Sequence, residues 1–240
     1  MAAATCRPSD GFSEVIIDGC DLSSIEYVYG GGNAASVPAT RVTLNGAYEI
    51  GSVFGGGNGK DALPNGTPNP GANVGYYADG IAAYGTGKAL VNAFGGLLHS
   101  VFGGSNTLGN IRTESVVFLD EASDCPLHLD EVYGGGNEAP MAGNIQIKLG
   151  CITSLSEIYG GARLADVGSA DANCDVVLNI TSGHFDRVFG GNNISGDIKD
   201  SITVNIEETG CHPITIGELY GCGNQADVTG KTNVKIGKEN

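Results

Sequence analysis

The chain has 240 residues, 40 of them glycine, and sets 12 basic side chains against 27 acidic ones, a net charge of −15. That balance argues against nucleic acid, whose phosphates need clustered Lys and Arg, and against docking on an anionic membrane. No run of 18 apolar residues occurs, so no transmembrane helix is predicted, and the opening MAAATCRPSDG lacks the basic and apolar pattern of a signal peptide.

In chain order, the first predicted strand closes in YVYGGGNAA at Tyr27 and is followed by an alternating segment, ATRVTLNG. SVFGGGNGK follows at Ser52, then a Gly-, Pro- and Asn-rich stretch over about 59–85, then KALVNAFGGLLHSVFGG. The pattern returns as SVFGGSNTL at Ser100, EVYGGGNEA at Glu131, EIYGGARLA at Glu157, RVFGGNNIS at Arg187 and ELYGCGNQA at Glu218. Between them lie NIQIKLG, CDVVLNI, DSITVNI and KTNVKIG, each alternating at period two with Val, Ile and Thr, the signature of a strand buried on one face. The seven aromatics (Tyr29, Phe54, Phe102, Tyr133, Tyr159, Phe189, Tyr220) are separated by 25, 48, 31, 26, 30 and 31 residues. A fixed period of this length means a repeat architecture.

Three short segments per repeat with no helical periodicity predict an all-β fold, a single-stranded right-handed parallel β-helix of about seven coils with three short strands each. It forms one domain over 1–240 with a loop insertion at about 59–85. Both ends cut into a repeat, which reads as a piece of a longer chain. Like residues then stack on like at about 4.8 Å. Asn33, Asn58, Asn106, Asn137, Asn193 and Asn224, each four residues after an aromatic, are expected to form a hydrogen-bonded ladder, broken at Arg163. The glycines are expected where the chain bends sharply or takes positive φ. Regular pleating would turn the aromatics outward as a column of seven rings; the expectation is instead that the chain bends at the glycines and the rings turn into the core, because seven exposed rings would make a large apolar patch.

This pattern resembles right-handed parallel β-helix proteins of the pectin-lyase-like architecture, and most closely the Gly-rich VFGGGN repeat regions of secreted and surface proteins of gut anaerobes. The resemblance implies an extracellular or cell-surface location and roles ranging from polysaccharide lyase or hydrolase to adhesin or stalk. No lyase motif is recognisable, so no catalytic residue is carried over. The expectation is a non-catalytic structural or adhesive module that touches a polysaccharide or host-surface glycan. The alternative is a polysaccharide lyase or glycoside hydrolase.

The candidate ligand-binding residues follow from that. Tyr76, Tyr77 and Tyr84 with Asn73 and Asp79 bring flat apolar faces and hydrogen-bonding groups together in the insertion, where long irregular loops are often functional. Arg163, with Asp166, is the second candidate, because a broken ladder is where function overrides a local rule. Glu131 and Glu157 fall on adjacent coils at a spacing that suits a retaining glycosidase pair or half a calcium site. With Arg187 between Glu157 and Glu218, a surface charge ladder is the expected reading. The four histidines show no zinc spacing and no metal or cofactor is assigned, calcium being the one cation considered. Cys20, Cys125, Cys151 and Cys211 share one edge of the coil; stacked reduced thiols are expected there, with a Cys125–Cys151 bridge as the alternative. Open coil ends present unpaired strand edges, so end-to-end self-association is a further expectation.

Overall fold

The structure, a computed structural model, describes residues 11–76, 85–122, 124–168 and 174–237. Thirteen strands and no helix are assigned among them: β1 (Ser13–Tyr29), β2 (Thr40–Phe54), β3 (Lys88–Ala93), β4 (Gly96–Phe102), β5 (Glu114–Leu119), β6 (Leu127–Tyr133), β7 (Asn144–Leu149), β8 (Ser154–Tyr159), β9 (Val176–Ile180), β10 (His184–Phe189), β11 (Ser201–Ile206), β12 (Thr215–Tyr220) and β13 (Lys231–Ile236). None of the described residues forms a helix long and apolar enough to cross a membrane.

All pairs are parallel and the odd and even strands form two sides of a solenoid. β4, β6, β8, β10 and β12 carry the aromatic motifs and stack as one side; β3, β5, β7, β9, β11 and β13 carry the alternating segments and stack as the other. β1 and β2 are long enough to run around the corner and belong to both. The chain is therefore a parallel β-solenoid of about seven turns, as expected.

The alternating segments bury every second residue because the pleat points successive side chains to opposite faces. Val42 and Leu44, Ile145 and Ile147, and Ile202 and Val204 all lie in one continuous core with Val132, Ile158 and Val188 from the other side. Each of these is worth roughly 1.5–3 kcal/mol of burial.

The third side of the coil is thinner than the sequence suggested. It holds one bridge residue per turn: Val37, Val74, Ile111, Met141, Val167, Ile198 and Val228. Backbone bonds join each bridge residue to the next coil, such as Val74 N–H to the Asn110 carbonyl at 2.8 Å, and side chains add to them. Asn73 Oδ1 accepts the Asn110 N–H at 2.8 Å, and Asn110 Oδ1 accepts that of Ala142 at 2.9 Å. Asp166 Oδ1 accepts the Asp197 N–H and Asp197 Oδ1 that of Thr229, both at 2.9 Å. In these coils an Asn or Asp directly before the bridge residue thus extends the short backbone ladder by one side-chain bond.

Val74 also divides the insertion, because it pairs with Val37 and Ile111 in the solenoid wall. Within the 59–85 stretch, residues 59–72 form an excursion that ends at this short return to the wall.

The glycines after each aromatic depart from expectation in one respect. None of Gly30, Gly55, Gly103, Gly134, Gly160 and Gly190 has positive φ. They are required by close approach, since a Cβ on any of them would overlap the carbonyl oxygen of the equivalent glycine one coil further on.

The cysteines are the clearest correction. Cys20 is bridged to Cys125 and Cys151 to Cys211, with Cα–Cα distances of 5.7 Å in both. Neither pair joins consecutive coils, and the edge is not a stack of reduced thiols. Two coils lie between Cys20 and Cys125, and the first holds glycine at this edge: a Cβ on Gly46 would lie 2.7–2.8 Å from the sulfurs of Cys20 and Cys125. Gly183 occupies the same corner between Cys151 and Cys211, in the turn entering β10. Cys174 is a buried free thiol whose S–H faces the Gly143 carbonyl at 2.6 Å, and burial pushes its pKa up to about 12.

Candidate functional site

The aromatic residues build the one feature that runs the whole length of the solenoid. Strand alternation turns each ring away from the main core, because the preceding Val, Ile or Leu points inward. The rings pile on one another instead. Successive centroids from Tyr29 to Tyr220 are 4.7–5.1 Å apart with interplanar angles of 2–13°, and Phe54, Phe102, Tyr133, Tyr159 and Phe189 form a buried cluster separate from the core. The rings are buried as expected but not by turning into the core: they form the outward column, and neighbours of the same kind cover both faces of each ring. Tyr27 lies over Tyr29 at one end at 6.2 Å, and Tyr220 at the other end is 43% exposed.

The residue two before the ring depends on which ring it is. Glu131, Glu157 and Glu218 precede Tyr133, Tyr159 and Tyr220, whereas Ser52, Ser100 and Arg187 precede Phe54, Phe102 and Phe189. The reason is a hydrogen bond. The Tyr133, Tyr159 and Tyr220 hydroxyls donate to the Glu131, Glu157 and Glu218 carboxylates at 3.1, 2.6 and 3.1 Å. Burial first, and the neighbouring carboxylate after it, raise the Tyr159 phenol far above its ordinary range. Tyr133 is raised the same way, with the Asn193 hydrogen bond opposing. Arg187 also pairs with Glu157. The Glu131–Glu157 pair, at adjacent register as expected, is therefore engaged with phenols and a guanidinium. Part of the expected charge ladder exists, and Glu218 turns to its own tyrosine.

On the other side of the rings stands the asparagine ladder. Each Nδ2 donates to the Oδ1 one coil back: Asn58 to Asn33 at 3.1 Å, Asn106 to Asn58 and Asn137 to Asn106 at 2.9 Å, and Asn224 to Asn193 at 3.0 Å. Arg163 keeps half of the pattern. Its guanidinium donates to Asn137 Oδ1 at 3.4 Å, but it has no oxygen to offer the next coil. Asn193 Nδ2 reaches past it to the Tyr133 hydroxyl at 2.8 Å.

This detour makes a prediction. Tyr133→Phe removes the acceptor of a buried amide and is expected to cost about 1–3 kcal/mol in urea unfolding. Arg163→Asn supplies the missing Oδ1, so in the Tyr133→Phe background it should recover at least half of that loss. Strictly additive effects in the four-protein cycle would show that Asn193 does not depend on this contact.

Where serine replaces the larger outward residue, the edge of the column lines a groove. Ser52 and Ser100 leave a groove of about 460 Å³, floored by Tyr29, Phe54 and Phe102 and walled by Asn58, Asn106 and Asn137. Lys60, Asp61, Thr107, Glu138 and Arg163 stand on its rim. Lys60 and Asp61 come from the 59–72 excursion of the insertion, which Asn69 anchors by donating to the carbonyls of Asn33 and Asp61 at 3.0 and 2.8 Å. The groove offers hydroxyls, amides and both signs of charge over an aromatic floor.

Of the sequence candidates, Arg163 lies on this groove. Asn73 does not; its side chain belongs to the third-side ladder, as does that of Asp166. Tyr76 is half-buried next to the third side, and Tyr77, Asp79 and Tyr84 lie outside the described residues. Lys60, Asp61, Ser52 and Ser100 were missed. The exchange of Glu or Tyr for Ser before two successive phenylalanines is the signal that could have found them.

One further cluster of polar groups lies on the outer face. His99 Nδ1 meets Asp130 Oδ2 at 2.6 Å and Nε2 meets Glu49 Oε1 at 3.1 Å, which raises its pKa above the ordinary value, the Asp130 contact being the larger cause.

Comparison with known proteins identifies no relative: no family model, no curated protein and no solved structure matches this chain.

Proposed function

We propose that the chain is a non-catalytic structural and adhesive module, a rigid β-solenoid segment of a secreted or surface protein that holds a glycan in the groove over Phe54 and Phe102. The observation that carries this reading is the commitment of side-chain chemistry to neighbouring coils. The ring column, the asparagine ladder and the third-side Asn and Asp residues all bond along the axis. Such a rod resists bending and presents one surface. The groove sets the edges of stacked rings and the half-buried Tyr29 beside hydroxyl and amide walls, groups suited to the apolar faces and hydroxyl edges of sugars. Two disulfides fit an exported protein.

The lyase or hydrolase alternative needs a carboxyl pair free to act. Glu131 and Glu157, the pair at the right register, are each bound to a tyrosine hydroxyl.

Thermal unfolding across neutral and acidic polysaccharides tests the proposal. A glycan at a hundred times its Kd stabilises by about 2.7 kcal/mol, which for a domain of this size is a rise in Tm of roughly 5–10 °C. Ser100→Glu copies the neighbouring Glu131 into the open coil, fills the groove without touching the backbone, and should abolish the rise. A rise that survives Ser100→Glu places the glycan elsewhere. No rise with any glycan leaves the chain a scaffold.

A further inference from the structure

Cys151, Cys211 and His212 bring two sulfurs and an imidazole nitrogen within 4.8 Å of one another, the one such group of potential metal ligands among the described residues. Three features of the chain produce this. Cys151 is pinned in its coil, its N–H donating to Asp120 Oδ1 at 2.7 Å and its carbonyl accepting the Glu121 N–H at 2.8 Å. The coil between contributes only the small corner of Ser182 and Gly183, so a residue two coils away reaches Cys151. Cys211 and His212 approach on an exposed loop, and Cys211 is itself exposed.

We infer that this corner is a binding site for a soft divalent cation of the zinc class, closed when the cysteines are bridged and open when they are reduced. Two thiolates and one imidazole are three of the four donors of a tetrahedral zinc site, and they leave one position for water or an exogenous ligand. Sulfur and imidazole donors select zinc over calcium or magnesium, which require oxygen. The chemistry balances in two steps. Two equivalents of a thiol reductant convert the bridge to two thiols and leave as their own disulfide; the cation then displaces one proton from each thiol as it binds. Both states join the same two coils, one by a sulfur–sulfur bond and the other through the metal. The Cys20–Cys125 bridge has no histidine in a comparable group among the described residues, so it is assigned no cation.

Cobalt(II) is the probe, because tetrahedral cobalt–thiolate sites show a sulfur-to-metal charge-transfer band and intense visible ligand-field bands. The full chain is reduced, freed of reductant without air and titrated. One equivalent of cobalt should bind with tetrahedral bands, and one equivalent of zinc should bleach them. His212→Ala should weaken binding by more than about tenfold, the lower end of what even an outer-shell change costs, while retaining the bridge under oxidising conditions, which counts as evidence that the variant is folded. Cys20→Ser/Cys125→Ser should bind as the parent does. Absence of tetrahedral bands in the reduced chain overturns the inference. So does their survival in Cys151→Ser/Cys211→Ser, or equal binding by the oxidised chain.

Discussion

Gly160→Ala is expected to lower the unfolding free energy by more than about 3 kcal/mol, while Gly221→Ala, at the same place in the last coil, is neutral or slightly stabilising. The two positions have the same local sequence role, directly after a tyrosine, and neither has positive φ. They differ in what lies over them. A Cβ on Gly160 would overlap the Gly190 carbonyl oxygen and sit 2.9 Å from Val176 Cγ1. Backbone cannot rotate away, so the coils must separate, and the Gly160 N–H bond to the Phe189 carbonyl at 2.9 Å goes with them. A Cβ on Gly221 meets side chains and no backbone, Val234 Cγ2 at 3.2 Å and Thr232 Oγ1 at 3.8 Å. There the loss of unfolded-state freedom on replacing glycine, about 0.4–1 kcal/mol, is opposed only by a small shift of the exposed Val234 side chain.

Urea unfolding followed by far-ultraviolet circular dichroism distinguishes the cases. The m-value should stay constant for Gly221→Ala, whose folded surface is unchanged. Equal midpoints for the two variants would mean that inter-coil spacing is not set by these glycines. The contrast matters for function because the same spacing brings the rings to 4.7–5.1 Å and the ladder amides to 2.9–3.1 Å. One alanine in mid-solenoid would loosen both walls of the groove at once.

The parts of this architecture that repeat were legible in the sequence. Stacking puts equivalent residues in contact, so a favourable contact is written once per coil; the Val–aromatic–Gly run, the asparagines and the alternating segments all announce themselves by recurrence. The third-side ladder recurs too, as Asn73, Asn110, Asp166, Asp197 and Asp227, but each is a single residue before a single apolar one, too short to read as a strand. The Glu–Tyr pairing is a correlation between two positions and invisible when either is read as a column alone. The disulfides follow a different logic. Bridged cysteines skip the coils where glycine opens the corner, so their separations of 105 and 60 residues exceed the repeat that made everything else readable. The groove escaped for a similar reason. It arises where two coils carry a smaller residue, Ser52 and Ser100, and the insertion contributes Lys60 and Asp61 rather than the described Tyr76.

Phe189→Ala is expected to cost about 3–5 kcal/mol, the range for deleting a buried aromatic, and Phe189→Leu about 1–3 kcal/mol. Phe189 is 2% exposed and lies between Tyr159 at 4.9 Å and Tyr220 at 4.8 Å, away from the groove. Alanine removes the apolar burial and uncovers a face of each neighbouring ring. Leucine keeps most of the burial and loses the two stacked contacts, each worth about 0.5–1.5 kcal/mol beyond its area. The difference between the two variants therefore separates burial from stacking. If leucine is as stable as the parent, the column is a store of apolar surface and ring geometry is incidental. If leucine falls well below the parent, parallel stacking itself stiffens the rod. In that event Phe189→Ala should leave the groove between Tyr29 and Phe102 able to bind any glycan that the parent binds there, because every coil from Tyr29 to Tyr159 still has its own neighbour. A binding loss in a folded Phe189→Ala protein would instead show that order propagates along the whole column.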